Sequence, residues 1–329
     1  MNKLLFYTVL VLLIFLVCCD DLQQKSTYEP LWEEVGTLDT VNVYSFVIDP
    51  FDNLYIGSVY GLYKSSDHGK TWNRLTITVP DSDQDFHALA IDRDGFLLAG
   101  DYWYLLRSTD QGLTWTDLYA SDRMSSYISV IEVSGDTIFV AQNRGHWSRS
   151  NNNGMTWTQL GISDGMRGVI WTNDGRLLAG TRFGGGIHRS SDNGDTWQQV
   201  RNWGGIWSMA KTSSEYILAG TDDEGILRTT DNGDTWSSIG PETNLIYDIQ
   251  VLSDSCILTT GESGRIYLSP NEGESWFDKT GNLGEKSIWG IALDSQGYVY
   301  LAAHNTSTIP SFRVVTSIYR AKTHRLLSR

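Results

Sequence analysis

The sequence predicts an all-β fold: a seven-bladed β-propeller of four-stranded antiparallel blades, with the last blade closed by the N-terminal strand. Three observations carry that expectation. One eight-residue turn recurs six times at a nearly constant interval, the same three short strands fill each interval, and the two ends of the chain each hold part of an unfinished seventh unit.

The turn is Ser65–Trp72 (SSDHGKTW), and it returns as Ser108–Trp115 (STDQGLTW), Ser150–Trp157 (SNNNGMTW), Ser190–Trp197 (SSDNGDTW), Thr229–Trp236 (TTDNGDTW) and Ser269–Trp276 (SPNEGESW). Between the glycines Gly69, Gly112, Gly154, Gly194, Gly233 and Gly273 the steps are 43, 42, 40, 39 and 40 residues. Each position has a mechanical reading. The side chains of Asp67, Asp110, Asn152, Asp192, Asp231 and Asn271 can fold an oxygen onto backbone N–H groups two residues on. The glycine can adopt positive φ, and the tryptophan leads into the next strand.

Between turns the text is an aliphatic strand (Ala88–Ile91), a turn (Asp92–Gly95), a strand (Phe96–Gly100) and a third strand (Leu105–Ser108). Middle strands such as Leu177-Leu178-Ala179 and Ile217-Leu218-Ala219 are apolar on both sides, as expected of a sheet packed between two others. A seventh unit lacks its turn: Ile288–Asp294, Tyr298–Ala303 and Ser317–Ala321 supply three strands and nothing Trp-led follows. The missing fourth strand is found at the other end, where Leu31–Gly36 (LWEEVG) matches the segments after each turn. Joining the two ends removes both open sheet edges. One propeller domain is therefore expected over 31–329, with Lys322–Arg329 as a loose basic tail.

The front end reads as an address. Leu4–Cys19 is an unbroken uncharged run behind Lys3, short for a spanning helix and shaped like a secretory core. It closes on Leu16-Val17-Cys18-Cys19, which resembles a bacterial lipoprotein signal. The expectation is a signal peptide at 1–18, lipidation of Cys19, a polar tether at 19–30, and a cell-envelope location anchored through the lipid, or secretion if the lipid is absent. Only Cys256 would then be left as a thiol, on an apolar strand where it fills core space. The chain carries a net charge of −14, which argues against nucleic acid as a partner.

The six turns resemble the Asp-box, or bacterial neuraminidase repeat, which sits between the third and fourth strands of propeller blades and implies structure rather than catalysis. Over the whole mature chain the sequence resembles single-propeller proteins of the photosystem II stability and assembly factor family and their non-photosynthetic bacterial relatives; in the photosynthetic members the ring is a binding scaffold, which the resemblance implies here. Sialidases share the box, but their Arg-Ile-Pro motif is missing and the first arginine is Arg74. Xyloglucan-cleaving enzymes share the ring, but they use two propellers in a much longer chain.

A site belongs on the face opposite the boxes. Aligning the innermost strands on Ser45, Ala88, Ser129, Gly168, Ser208, Asp248 and Gly290 puts Tyr44, His87, Ile128, Arg167, Trp207, Tyr247 and Trp289 at one equivalent place around the channel. Neighbouring loops add Arg144 and Arg182 on a basic side, and Glu262 beside Asp248 on an acidic side. The expected ligand-binding set is Tyr44, His87, Arg144, Arg167, Arg182, Trp207, Tyr247 and Trp289, since rings give an apolar platform and guanidinium forks grip anions. His87, His146 and His304 come from separate blades without ligand spacing, so no metal or other cofactor is expected. The leading expectation is a monomeric scaffold that binds an envelope protein or glycan. The alternative is a polysaccharide-active enzyme, a glycosidase using Asp248 and Glu262 or a uronate lyase using Arg167 with His87 or a tyrosine to handle protons.

Overall fold

The computed structural model describes residues 29–328 apart from 40–41, 120–125, 144, 161–164, 183–184, 203, 242, 244, 254 and 306–314, and leaves aside the side chain of Asn305. The expected signal peptide, the lipidation site Cys19, nearly all of the tether and the candidate Arg144 fall outside the described residues. From Leu31 onward the chain is one compact unit.

The described residues build seven four-stranded antiparallel sheets. In the second blade the strands run Ala88–Ile91, Leu97–Gly100, Leu105–Ser108 and Thr116–Asp117, each paired with the one before. Innermost strands neighbour one another around the ring, and Val43–Ile48 of blade one packs on Lys286–Leu293 of blade seven. Middle strands such as Leu177–Thr181 and Ile217–Thr221 are buried throughout, because each sheet has a sheet on both faces.

Close approach between blades depends on glycine at the inner end of several middle strands. A Cβ on Gly180 would stand 2.4 Å from Ile206 Cγ2 of the next blade, and one on Gly100 would stand 2.7 Å from Ile128. Blades therefore wedge together where the ring is narrowest.

The boxes lie on the turns between third and fourth strands. In the first, Gly69 N–H donates to Ser65 Oγ at 2.9 Å and Ser65 Oγ donates to Asp67 Oδ1 at 2.8 Å. Asp67 Oδ1 and Oδ2 then accept the N–H and the hydroxyl of Thr71 at 2.9 and 2.6 Å. The reach is four residues, not the two expected of a simple Asx turn, because Asp67 spans the whole octet. Gly69 has φ +86°, and the residue before it, His68, also lies at positive φ, 59°. Asn152 and Asn271 keep the same backbone bond, to Thr156 and Ser275, at 2.9 Å each.

Ring closure follows the sequence expectation, with a longer strand. Glu33–Asp39 pairs antiparallel with Val315–Lys322 and completes the sheet of Lys286–Leu293 and Tyr298–Asn305. Trp32, fully buried, anchors it by donating from its indole N–H to Lys279 O at 2.8 Å. The expected loose tail is a correction. Lys322 still belongs to the last strand and Thr323–Leu327 forms a short helix, because Leu326 is apolar enough to be fully buried in the same core cluster as Trp32.

Candidate functional site

The innermost strand carries a β-bulge near its start in blades one, three, four, five, six and seven. A bulge leaves one residue unpaired and re-aims it. The residue before the bulge goes into the interface between blades: Val43, Ile128, Met166, Ile206 and Ile246 are fully buried. The bulged residue goes to the channel, which places Tyr44, Arg167, Trp207, Tyr247 and Trp289 around a cavity of about 540 Å³.

Blade three departs from the expected alignment. Its bulged residue is Ser129, while Ile128 is the buried interface residue under Gly100. The sequence alignment was one residue out there because Ser129 resembles the small residue that follows the bulge in other blades. Tyr127, missed by that register, reaches the channel from one position earlier. The signal available in the sequence was the apolar residue before each bulge, which Ile128 matches and Tyr127 does not.

Two aromatic walls result. His87 is sandwiched between Tyr44 and Tyr127, with ring centroids 4.1 and 4.0 Å away and near-parallel planes. Its Nε2 lies 3.1 Å from Asp85 Oδ1, so the ring is held on both faces and at one edge. On the other side Trp207 meets Tyr247 edge-on at 5.3 Å, and Tyr247 stacks toward Trp289 at 6.1 Å. His304 stands 6.0 Å from Trp289 and accepts the Val43 N–H on Nε2 at 3.1 Å; burial pulls it down to about 4, so it is neutral at physiological pH.

Between the walls stand the cations. The Arg182 guanidinium lies 4.3 Å from the Trp207 ring centre and that of Arg167 5.7 Å. Burial first, and then the repulsion of Arg182, bring Arg167 down to about 10, which leaves it charged at neutral pH. Two like charges over one indole make a ready receptor for an anionic group.

The acidic side is arranged differently from the expectation. Asp248 lines the channel, but Glu262 lines a separate cavity with Thr243, Arg265 and Asp278, so the structure does not pair them. Asp222 instead accepts the Gly205 N–H at 2.8 Å and Glu224 pairs with Arg201 at 2.5 Å. The carboxylate that shares the channel with Asp248 is Glu132, which sequence reasoning did not single out. Among the described residues no group of three or more metal-ligating side chains gathers. None of the Asp-box octets contributes to the channel lining.

The family model described as photosynthesis system II assembly factor YCF48 matches residues 24–181, just under half of the chain. Over those residues the chain resembles the photosystem II assembly factor family, in line with the likeness expected from the repeats. No curated protein matches the sequence. Among solved structures, a YCF48 bound to a D1 peptide superposes with a TM-score of 0.66 at 15% identity, covering 87% of this chain and 96% of that one. The extracellular domain of BT4673 from B. thetaiotaomicron gives 0.69 at 13% identity, covering 90% of this chain and 40% of that one. The Niastella koreensis GH74 enzyme gives 0.66 at 18% identity, with 88% and 55% covered. These structural likenesses establish the propeller fold, and the chain spans only part of the last two.

Proposed function

We propose that this ring is an exported, lipid-anchored binding module that docks a polypeptide of the cell envelope on the loop face around its channel, without turning it over. The observation that carries the reading is Arg167 and Arg182 over Trp207, set between the walls of Tyr44, His87 and Tyr127 on one side and Tyr247 and Trp289 on the other. In a chain of net charge −14 an inward-facing basic pair is a local inversion of the field, and such inversions recruit anionic partners. The likeness to a YCF48 structure that holds a D1 peptide supports a polypeptide in preference to a glycan. The test is affinity capture from the native envelope. A specific protein retained by the wild type and by Asp192→Ala, but lost with Arg167→Glu, is expected; equal retention by all three contradicts the reading.

One observation favours a second reading, action on a polysaccharide. Glu132 and Asp248 share the channel, and both are raised, Glu132 to about 7 by burial and then by Asp248, and Asp248 to about 6 by burial. A raised acid next to a second carboxylate is what glycoside hydrolysis uses. New reducing ends from a glycan panel, abolished in Glu132→Gln, would establish it.

A further inference from the structure

Where the residue after the bulge is polar, as at Ser45, Ser208 and Asp248, its side chain can stitch its blade to the next. Ser45 Oγ does this by accepting the Leu89 N–H at 3.0 Å. Asp248 does it by accepting the Ile291 N–H on Oδ2 at 3.3 Å. The equivalent bond from blade five to blade six is missing. The Ile249 N–H that Ser208 would take is captured by Asp248 Oδ1 at 2.9 Å. Ser208, nine-tenths buried and lining the channel cavity, is left with its hydroxyl oxygen unpartnered. A buried polar atom without a partner costs about 1–3 kcal/mol, so a place like this is normally filled.

Glu132 adds to the deficit. It reaches the same cavity from blade three, makes no hydrogen bond among the described residues, and the one charge that perturbs it is Asp248, another anion. The guanidinium groups of Arg167 and Arg182 lie over Trp207. The channel thus has a basic mouth at Arg167 and Arg182 and an acidic floor at Glu132 and Asp248. About 540 Å³ is far more than a bare metal ion fills, and the aromatic rings above the floor suit an alkyl stem or a cation against their faces.

We infer that the channel floor formed by Glu132, Asp248 and Ser208 is a binding site for an organic cation, the ammonium or guanidinium of a basic chain that inserts between the aromatic walls. This deepens the proposed docking of a polypeptide by naming the group that enters the ring, and it rests on taking the channel mouth as the binding face. A partner carrying an acidic group for the arginines and a basic side chain for the floor would satisfy both halves of the channel.

The test uses small amines and no partner protein, so its failure leaves the docking reading standing, and a failed capture leaves this one standing. Isothermal titration of the mature domain with 1,5-diaminopentane and with N-acetyl-lysine amide should show saturable one-site binding, with N-acetyl-norleucine amide as the neutral comparator showing none. Glu132→Gln should weaken amine binding at least tenfold and Ser208→Ala severalfold, while Asp192→Ala, in a box away from the channel, leaves it unchanged. Melting curves and circular dichroism establish that each variant is folded, and Glu132→Gln carries the test if Asp248→Asn loosens the blades. Absence of amine binding, equal binding of the norleucine amide, calcium binding without amine binding, or affinity undiminished in Glu132→Gln would overturn the assignment.

Discussion

Trp32 and Asn282 exchange two hydrogen bonds across most of the length of the chain: the Trp32 N–H donates to Asn282 Oδ1 at 2.9 Å, and Asn282 Nδ2 donates to the Trp32 carbonyl at 2.9 Å. This pair fastens the first strand to the loop that follows blade six, beside the indole bond to Lys279. Closing a sheet array with its own N-terminal strand leaves no free edge, and it makes the stability of every blade depend on one short segment.

Trp32→Ala should therefore destabilise the whole ring, by about 3–5 kcal/mol for loss of a large buried aromatic. Deleting Leu31–Gly36 should do more. Calorimetry on both variants should show a single transition at lower temperature; an unchanged melting temperature in the deletion would mean that the strand does not close the ring.

Gly36 offers a finer probe of the same seam. A Cβ at Gly36 would stand 2.1 Å from the carbonyl oxygen of Gly69 in the first box, a backbone atom that cannot step aside. Gly36→Ala should lower stability by an amount comparable to an overpacked core, about 1–3 kcal/mol. In urea unfolding the midpoint should fall while the slope stays constant, and a midpoint equal to wild type would show that the strand sits further from the box.

Acid and alkaline limbs of stability should have separate origins. Asp110 and Asp192 are held at about 2, below the usual 3.8, by the hydroxyl and then the N–H of Thr114 and Thr196. A depressed carboxylate contributes stability above its unfolded value, and the contribution is lost as pH falls through about 2. Glu132 and Asp248 are shifted the other way, to about 7 and 6. Their contribution is complete below the unfolded values, near 4, and is lost as pH rises through 6 and 7. Glu132→Gln should match wild type near pH 4 and melt higher at pH 8, by on the order of 2 °C. Identical pH profiles for the two proteins would place Glu132 in water.

Asn152 and Asn271 show that the box tolerates an amide, since each keeps the backbone bond of its aspartate counterparts. Asp110→Asn should accordingly leave melting near neutral pH almost unchanged and make the acid limb shallower. A large loss at pH 7 would mean that the carboxylate charge holds the turn.

The ring was legible in the sequence because its determinants are local and repeated. A serine or threonine, an Asx residue, a glycine and a tryptophan in fixed order define each box, and Leu31–Gly36 repeats the Trp-led segment that follows a box. The site was legible only in part, because it depends on which residue of each inner strand is bulged. Where a small residue follows the bulge, as at Ser45 or Gly168, the register could be read and Tyr44 and Arg167 were found. In blade three the bulged residue is itself small, Ser129, and the reading slipped to Ile128. Glu132 went unnoticed because nothing local distinguishes it from a solvated strand residue; only ring closure brings it into the channel with Asp248. The burial of Leu326 likewise comes from packing beside Trp32, which no local pattern announces.

The central claim is that the channel mouth, and not the box face, meets the partner. Site-specific photo-cross-linking in cells tests it directly, with a photoreactive phenylalanine analogue placed at Tyr247 or at Trp289 on the channel, or at Met155, which is 83% exposed in the third box. Discrete protein adducts from the two channel positions, absent from Met155 and abolished by Arg167→Glu, are the predicted result. Adducts from Met155 with none from Tyr247 and Trp289 would contradict it.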